Sequence, residues 1–311
     1  MTKHYSVLLT ESIEGLAIKE NGIYVDGTLG RGGHSAEILK LIPKGHLYAF
    51  DRDASAIDES RDRLHKIGNN FTLIHNNFSK IKEELAKYDI HEIDGMVLDL
   101  GVSSPQFDEA QRGFSYRFDA PLDMRMDQSQ TLNAYEIVNH WDYHELVRIF
   151  YQYGEDNNAK LVARKIEKLR IEKPIETTFE LVEVIKAALP SKVLNKKGHP
   201  AKKIFQAIRI AVNNELQEIE IVLQEAISML NVGGRLSVIS FQSLEDRLVK
   251  EAFHNVSTPK QIDKRIPILP KDMEIAPFQL INRKPILAKE EELEENNRSH
   301  SAKLRIIERV R

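Results

Sequence analysis

The chain has 311 residues, of which 41% are hydrophobic and 29% charged, the balance of a globular protein with a proper core and room for one large domain or two ordinary ones. Its formal net charge of −3 excludes a uniformly basic nucleic-acid-binding chain, so any contact with a polyanion must come from a local patch. There is no cysteine, which excludes disulfides, thiolate metal sites, cysteine-held iron–sulfur clusters and any mechanism with a cysteine nucleophile.

Near the start, the apolar patch Val7-Leu8-Leu9 is too short for a signal-peptide core, and no apolar run approaches the roughly 20 residues of a membrane span. A cytoplasmic protein with no membrane partner is expected. Four β-like runs then follow at residues 23–25, 46–50, 71–75 and 93–98, and the acids Asp26, Asp51 and Asp99 close three of them. Amphipathic stretches at 34–42, 53–67 and 79–88 separate the runs. Such alternation predicts parallel βαβ units in a doubly wound sheet, with the acids at the carboxyl edge where these folds bind ligands. From about residue 105 to 198 the alternation stops, and helical patterns cover 133–153, 157–171 and 178–189. A long helix over about 202–230 leads to a buried strand at 235–240, after the Gly233-Gly234 punctuation, and a last strand is expected at 304–310. The reading is an α/β core made of residues 1–105 and 206–311, interrupted by an inserted helical domain over 106–205 that carries substrate recognition.

Val25-Asp26-Gly27-Thr28-Leu29-Gly30-Arg31-Gly32-Gly33-His34 follows a strand and opens a helix. Its glycines let backbone N–H groups approach a ligand closely, and Asp51, at the end of the next strand, is placed to bind both hydroxyls of a ribose. Alone, these features fit nicotinamide cofactors and S-adenosylmethionine equally. Three details favour the sulfonium. Asp26 leads the loop with a negative charge, the glycine spacing is not the dinucleotide one, and the fourth run ends in Asp99-Leu100-Gly101-Val102-Ser103-Ser104-Pro105, where amino-methyltransferases keep their target-binding loop. A ring-attached amine is a poor nucleophile because its lone pair is delocalised. Acceptors such as Asp99, the hydroxyls of Ser103 and Ser104 and the carbonyls of the Pro105 turn can grip its N–H groups and take up the proton.

The sequence resembles the bacterial cytosine-N4 methyltransferases of small-subunit ribosomal RNA, the MraW or RsmH family, over nearly its whole length. The resemblance rests on His4-Tyr5-Ser6-Val7-Leu8-Leu9, the glycine loop, Phe50-Asp51-Arg52-Asp53, residues 98–106, Arg112-Gly113-Phe114-Ser115, residues 121–127, Tyr153-Gly154-Glu155, His199-Pro200-Ala201, residues 205–213 and residues 233–246. It implies a Rossmann-like class I S-adenosylmethionine methyltransferase core with an inserted all-helical domain. It also implies S-adenosyl-L-methionine as cofactor, no metal, and a cytosine in the decoding region of 16S ribosomal RNA, within the small subunit, as target. By the same resemblance Gly32, Gly33 and His34 contact the cofactor, Asp51 binds its ribose, Phe78 packs by the adenine, and Asp99 and Gln106 complete the site, to which the loop reading adds Asp26 and Gly30. Gln242 stands where many members carry His and is not assigned as a base. The missing cysteine agrees with amine methylation, because methylating carbon-5 of a pyrimidine needs a covalent cysteine adduct.

For the substrate, residues 192–209 contain no acid and carry Lys196, Lys197, Lys202, Lys203 and Arg209, a pattern suited to phosphates. Asp123 and Arg125 are candidates to read the edge of a splayed-out base, and Phe114, Tyr116 and Phe118 to stack on it. The basic C-terminal stretch 298–311 is read as a strand with further phosphate contacts, and the acidic run 290–295 as a solvated tail or loop. A homodimer is compatible with the sequence. The rival readings are an amine methyltransferase acting on DNA or another amine, a nicotinamide-dependent oxidoreductase, and a non-catalytic RNA-binding factor.

Overall fold

The structure, a computed structural model, describes residues 6–101, 107, 109–259 and 275–311. The chain divides into two compact units, Met1–Gly101 with Leu216–Arg311, and Val102–Glu215.

In the first unit the apolar runs become strands β1 (Ile23–Asp26), β2 (His46–Asp51), β3 (Phe71–His75), β4 (Ile93–Asp99), β5 (Leu230–Ser240), β6 (Phe278–Leu280) and β7 (Lys303–Arg309). They form one sheet in the order β3-β2-β1-β4-β5-β7-β6, and among them β7 alone runs antiparallel to its neighbours. This is a Rossmann-like sheet with a reversed strand near one edge, as expected for a class I methyltransferase core. The runs are continuous rather than alternating because both faces are covered. Val25, Phe50, Met96 and Leu98 point into one apolar layer, together with Ile219, Val222 and Leu223. Tyr24, Leu47, Ala49 and Val97 point into the other, together with Ala36, Leu39, Ile57 and Leu64. Between the strands lie α2 (Gly33–Leu41), α3 (Ala54–His65) and α4 (Ile81–Ala86), preceded by α1 (Leu9–Gly15). The parallel register pairs Asp26 with Ala49 and Val97, Asp51 with His75, and Asp99 with Ile239, so all three acids reach the carboxyl edge. β1 sits where the order reverses, the switch point at which such sheets open a crevice.

The second unit is helical: α5 (Ala134–His140), α6 (Tyr143–Gln152), α7 (Ala159–Glu172), α8 (Thr178–Ala188), α9 (Ser191–Leu194) and α10 (Lys202–Asn213). Polar caps cut them to length. Asn133 accepts from the Glu136 N–H, Asp142 from that of Glu145, and Thr177 forms a reciprocal capping box with Glu180. The single helix expected over 133–153 is therefore two, because Trp141 turns extended and Asp142 starts a new helix.

Three further expectations change. The helix expected over 202–230 is also two, α10 and α11 (Glu215–Met229), because Asn214 adopts a left-handed conformation (φ 52°) that Asn tolerates better than most residues. The apolar face of α10 belongs to the core of the second unit, and that of α11 to the sheet. The fifth strand begins at Leu230 rather than at 235, because the Gly233-Gly234 step makes a register shift against β4 instead of ending the pairing. The acidic run is neither tail nor loop. It forms α13 (Glu290–Glu295), and its Glu292 carboxylate accepts from the Leu8 N–H (2.9 Å) and the Ser299 hydroxyl (2.5 Å). The remaining helix of the first unit is α12 (Ser243–Ser257).

Asn213 clamps the segment 121–127 in the second unit. Its Oδ1 accepts the Met126 N–H (2.8 Å), and its Nδ2 donates to the carbonyls of Met124 (2.8 Å) and Arg209 (2.9 Å). Met124 and Met126 are buried and Met124 has φ 59°, so the loop needs this outside support. Asn213→Ala should strand buried backbone groups and lower the unfolding free energy by about 3 kcal/mol. The check is a urea titration, in which the midpoint falls while the slope stays constant.

Candidate active site

The glycine loop ties the three acid-tipped strands together. Gly30 and Gly32 both have positive φ (49° and 69°), a conformation that costs glycine little and lets the chain turn sharply before α2. The turn aims the Gly30 N–H at Asp51 Oδ2 (2.9 Å), while Asp51 Oδ1 accepts from the Asp53 N–H (2.9 Å). Asp26 is fully buried. Its Oδ1 accepts from the Thr28 N–H (3.0 Å) and its Oδ2 from the Ser35 hydroxyl (2.7 Å). Thr28 Oγ1 in turn accepts from the Asp99 N–H (2.7 Å), fastening β4 to the loop. Gly33 lies so close to Ser6 that a side-chain carbon there would sit 1.8 Å from its Oγ. Phe78, in a short 3-10 turn after β3, packs beside Gly27, with its Cβ 3.4 Å from where a Cβ on that glycine would be.

The electrostatics follow from this burial. Loss of water pushes the Asp26 carboxyl up, opposed by the adjacent His34 imidazole and the Ser35 hydroxyl. Burial pushes Asp51 up to about 6, against the N–H groups of Asp53 and Gly30, which favour the charged form. Burial also raises Asp99, with His34 and Arg298 opposing and Asp26 and Glu292 adding to the rise. Three acids sharing one crevice repel one another, so a cationic ligand is favoured there. Two buried polar atoms in the crevice, His34 Nε2 and Asp99 Oδ1, have no hydrogen-bond partner among the described residues. Unmet buried groups of this kind point to a missing polar partner. The donor set therefore fits S-adenosylmethionine. Asp51 is suited to a ribose, the loop N–H groups and Phe78 to the nucleoside, and the acid-rich crevice to a molecule bearing a sulfonium and an ammonium.

The sheet edge thus brings together Asp26, Gly30, Gly32, Gly33, His34, Asp51, Phe78 and Asp99. Ser103, Ser104, Pro105 and Gln106 lie outside the described residues. In the second unit, Asp123 and Arg125 face each other, with Nε to Oδ1 at 2.7 Å and the second guanidinium nitrogen to Oδ2 at 2.8 Å. Arg209 forms a two-pronged pair with Glu215, both contacts at 2.8 Å. Lys196, Lys197, Lys202 and Lys203 line one cavity of about 320 Å³ together with Asn157 and His199. Lys203 also donates to the Glu155 carbonyl (2.6 Å). Of the three aromatics, Phe114 is a core residue, Tyr116 stacks flat on His199 (centroids 4.2 Å apart), and Phe118 is exposed.

Lys303 and Arg305 both bind Asp246, and Arg309 donates to the carbonyls of Leu230 and Arg311. Sequence reasoning missed Thr28, Ser35, Arg298 and Glu292. The first two lie inside the glycine loop and its helix, where a hydroxyl beside an acid is a readable hydrogen-bond signal. The other two reach the site from the far end of the chain and leave no local pattern.

Comparison with known proteins agrees with the sequence-based family. The model of the MraW methylase family matches residues 1–310. A ribosomal RNA small subunit methyltransferase H from Exiguobacterium sibiricum is 54% identical over 311 residues, covering 100% of this chain and 99% of that protein. One from Limosilactobacillus fermentum is 54% identical over 310 residues, covering 99% and 98%. Among solved structures, an rRNA methylase from Streptococcus thermophilus has a TM-score of 0.43 at 14% identity, covering 100% of this chain and 99% of that one. A methyltransferase from Streptococcus mutans in complex with SAH has a TM-score of 0.44 at 15% identity, covering 98% and 99%. With the family model spanning all but the last residue, this chain belongs to the MraW methylases and uses S-adenosylmethionine as its cofactor.

Proposed function

We propose that this chain methylates the N4 exocyclic amine of a cytosine in the decoding region of 16S ribosomal RNA, acting in the cytoplasm on the small subunit. The observation that supports it most is the buried Asp99 Oδ1 at the end of β4, without a hydrogen-bond partner among the described residues. The 54% identity to proteins named small-subunit rRNA methyltransferases supports the substrate class.

The cofactor supplies an electrophilic methyl group, and the chain's own residues bind, orient and accept a proton. Asp51 binds the ribose, Gly30, Gly32 and Gly33 present backbone N–H groups, Phe78 flanks the adenine, and His34 and Asp26 complete the pocket. Asp99 holds an N–H of the target amine and, with its proton affinity raised by burial, is suited to take the proton that leaves. Ser103, Ser104 and Pro105 are assigned to the grip on the amine, and Gln106 to the cofactor. The helical unit, 106–205 by sequence, recognises RNA. Lys196, Lys197, Lys202 and Lys203 contact phosphates around their shared cavity. Asp123, Arg125 and Arg209, each locked in an ion pair, contribute by shaping the surface on which the base lies.

Transfer of tritiated methyl groups to total RNA, naked DNA and small ribosomal subunits should label 16S RNA, with nuclease digestion yielding N4-methylcytidine. Label chiefly in DNA would contradict the substrate. Donor affinity should fall about tenfold per pH unit below about 6, because protonating Asp51 removes the charged acceptor that the ribose hydroxyls bind. Calorimetry between pH 5 and 8 reads this directly, and Asp51→Asn should flatten the profile. Changing Lys196, Lys197 and Lys202 together to Ala should reduce the slope of log affinity against log salt for RNA by about 2.

A further inference from the structure

A third buried polar atom without a partner among the described residues belongs to Gln242, just beyond β5: its side-chain oxygen Oε1. The orientation of that amide is fixed by its neighbour. Gln242 Nε2 donates to Glu245 Oε1 at 2.7 Å. Glu245 is itself buried, and its other oxygen accepts the N–H groups of Phe241 (2.8 Å) and Gln242 (3.2 Å). A carboxylate only accepts, so the amide nitrogen is the end that faces Glu245 Oε1, which leaves the oxygen as the other end. Flipping the amide would oppose two acceptors in a buried place, at a cost well above that of an ordinary rotamer change.

The register places this oxygen at the same sheet edge as Asp99. Asp99 pairs with Ile239, the Leu100 N–H donates to the Ile239 carbonyl (2.9 Å), and the Phe241 ring lies 3.3 Å from where a Cβ on Gly101 would be. β4 and β5 therefore leave the sheet side by side, and each presents a buried acceptor with an unmet need for a donor: Asp99 Oδ1 and Gln242 Oε1. A hydroxyl nucleophile has one O–H and would satisfy one of them. A primary amine has two N–H bonds and would satisfy both.

We propose that Gln242 is a substrate-contacting residue whose Oε1 accepts one N–H of the methyl-accepting primary amine while Asp99 accepts the other. The inference rests on the reading of the chain as an amine methyltransferase and adds a specific atom to it. Holding both N–H bonds draws the nitrogen lone pair out of conjugation with the ring and toward the methyl group. As the new N–C bond forms, the methyl group's bond to sulfur breaks with its electron pair staying on the sulfur, and one amine proton leaves to the Asp99 carboxylate or to water. Gln242 has no basic atom and keeps the N–H that stays on the product. Glu245 acts through Gln242 as a positioning residue.

The test is Gln242→Met, which keeps the length and removes both the acceptor and the donor to Glu245, beside Gln242→His, whose Nδ1–H can still donate to Glu245 while Nε2 offers an acceptor. The assay is single-turnover methyl transfer to small subunits lacking the modification, with S-adenosylhomocysteine binding measured by calorimetry. Gln242→Met should lose on the order of 100-fold in turnover, hold S-adenosylhomocysteine within about twofold of the wild type, and melt a few degrees lower, because the buried Glu245 carboxylate loses a donor. Gln242→His should recover part of the rate and most of the melting temperature. Wild-type turnover by Gln242→Met overturns the assignment. So does a loss of S-adenosylhomocysteine affinity that parallels the loss of turnover, which would put the oxygen on the cofactor, and so does a His variant that melts like the wild type yet is as slow as the Met variant. If the wild-type chain itself leaves small subunits unlabelled, the substrate reading fails instead, a result told apart by the wild-type control alone.

Discussion

Carboxylates crowded out of water at one edge of a parallel sheet are the constraint from which the rest of the first unit follows. Asp26, Asp51 and Asp99 end three neighbouring strands, and burial raises the proton affinity of each. The loop between β1 and α2 supplies N–H and O–H donors to these acids. Thr28 serves two of them at once, through its N–H to Asp26 and its Oγ1 to the Asp99 backbone. Donors that stabilise a buried carboxylate in its charged form also preorganise it for a ligand, since no rearrangement is needed when the ligand arrives. Destabilisation remaining in the free protein, in the form of repulsion and unmet polar atoms, is relieved by a cationic, donor-rich ligand, which links the fold to its chemistry.

The helical unit solves a different problem. Its core is apolar throughout, and its polar groups are spent at helix ends and in the 121–127 segment, where Arg112 and Asn213 hold backbone groups that have no helical partners. Lysines are then left for the cavity between α9 and the start of α10, where no acid but Asp156 lines the wall. Asp156 itself is buried and accepts from Asn158. His199, stacked on Tyr116, is pushed toward its neutral form by burial, with Lys186 and Arg117 adding to the effect, so the lysines provide the positive charge.

How much of this was legible in the sequence depended on range. Strands buried on both faces announce themselves as unbroken apolar runs, and an acid after such a run marks the carboxyl edge, so Asp26, Asp51 and Asp99 were readable without a structure. Local chemistry was readable too, as with the glycine loop. What escaped was settled by distant partners. Arg209 looks like a phosphate ligand in a basic stretch, yet Glu215, just past the helix break at Asn214, claims its guanidinium. Glu292 sits in a run of acids that reads as solvent-exposed, until Leu8 and Ser299 are brought to it. Gln242 looks like an ordinary helix start, and only its pairing with buried Glu245 shows an oxygen directed elsewhere. At Asn214 the apolar periodicity continues while the core changes, from that of the second unit to that of the sheet; at Trp141 the same core continues, and the Asp142 cap starts a new helix.

The most direct measurement is a crystal structure of the chain with S-adenosylhomocysteine. The account predicts the ligand at the carboxyl edge of the sheet, both ribose hydroxyls on the Asp51 carboxylate and the thioether sulfur on the side of Asp99 and Gln242. A ligand whose ribose lies away from Asp51, or a glycine-loop crevice left vacant at saturating ligand, would contradict it.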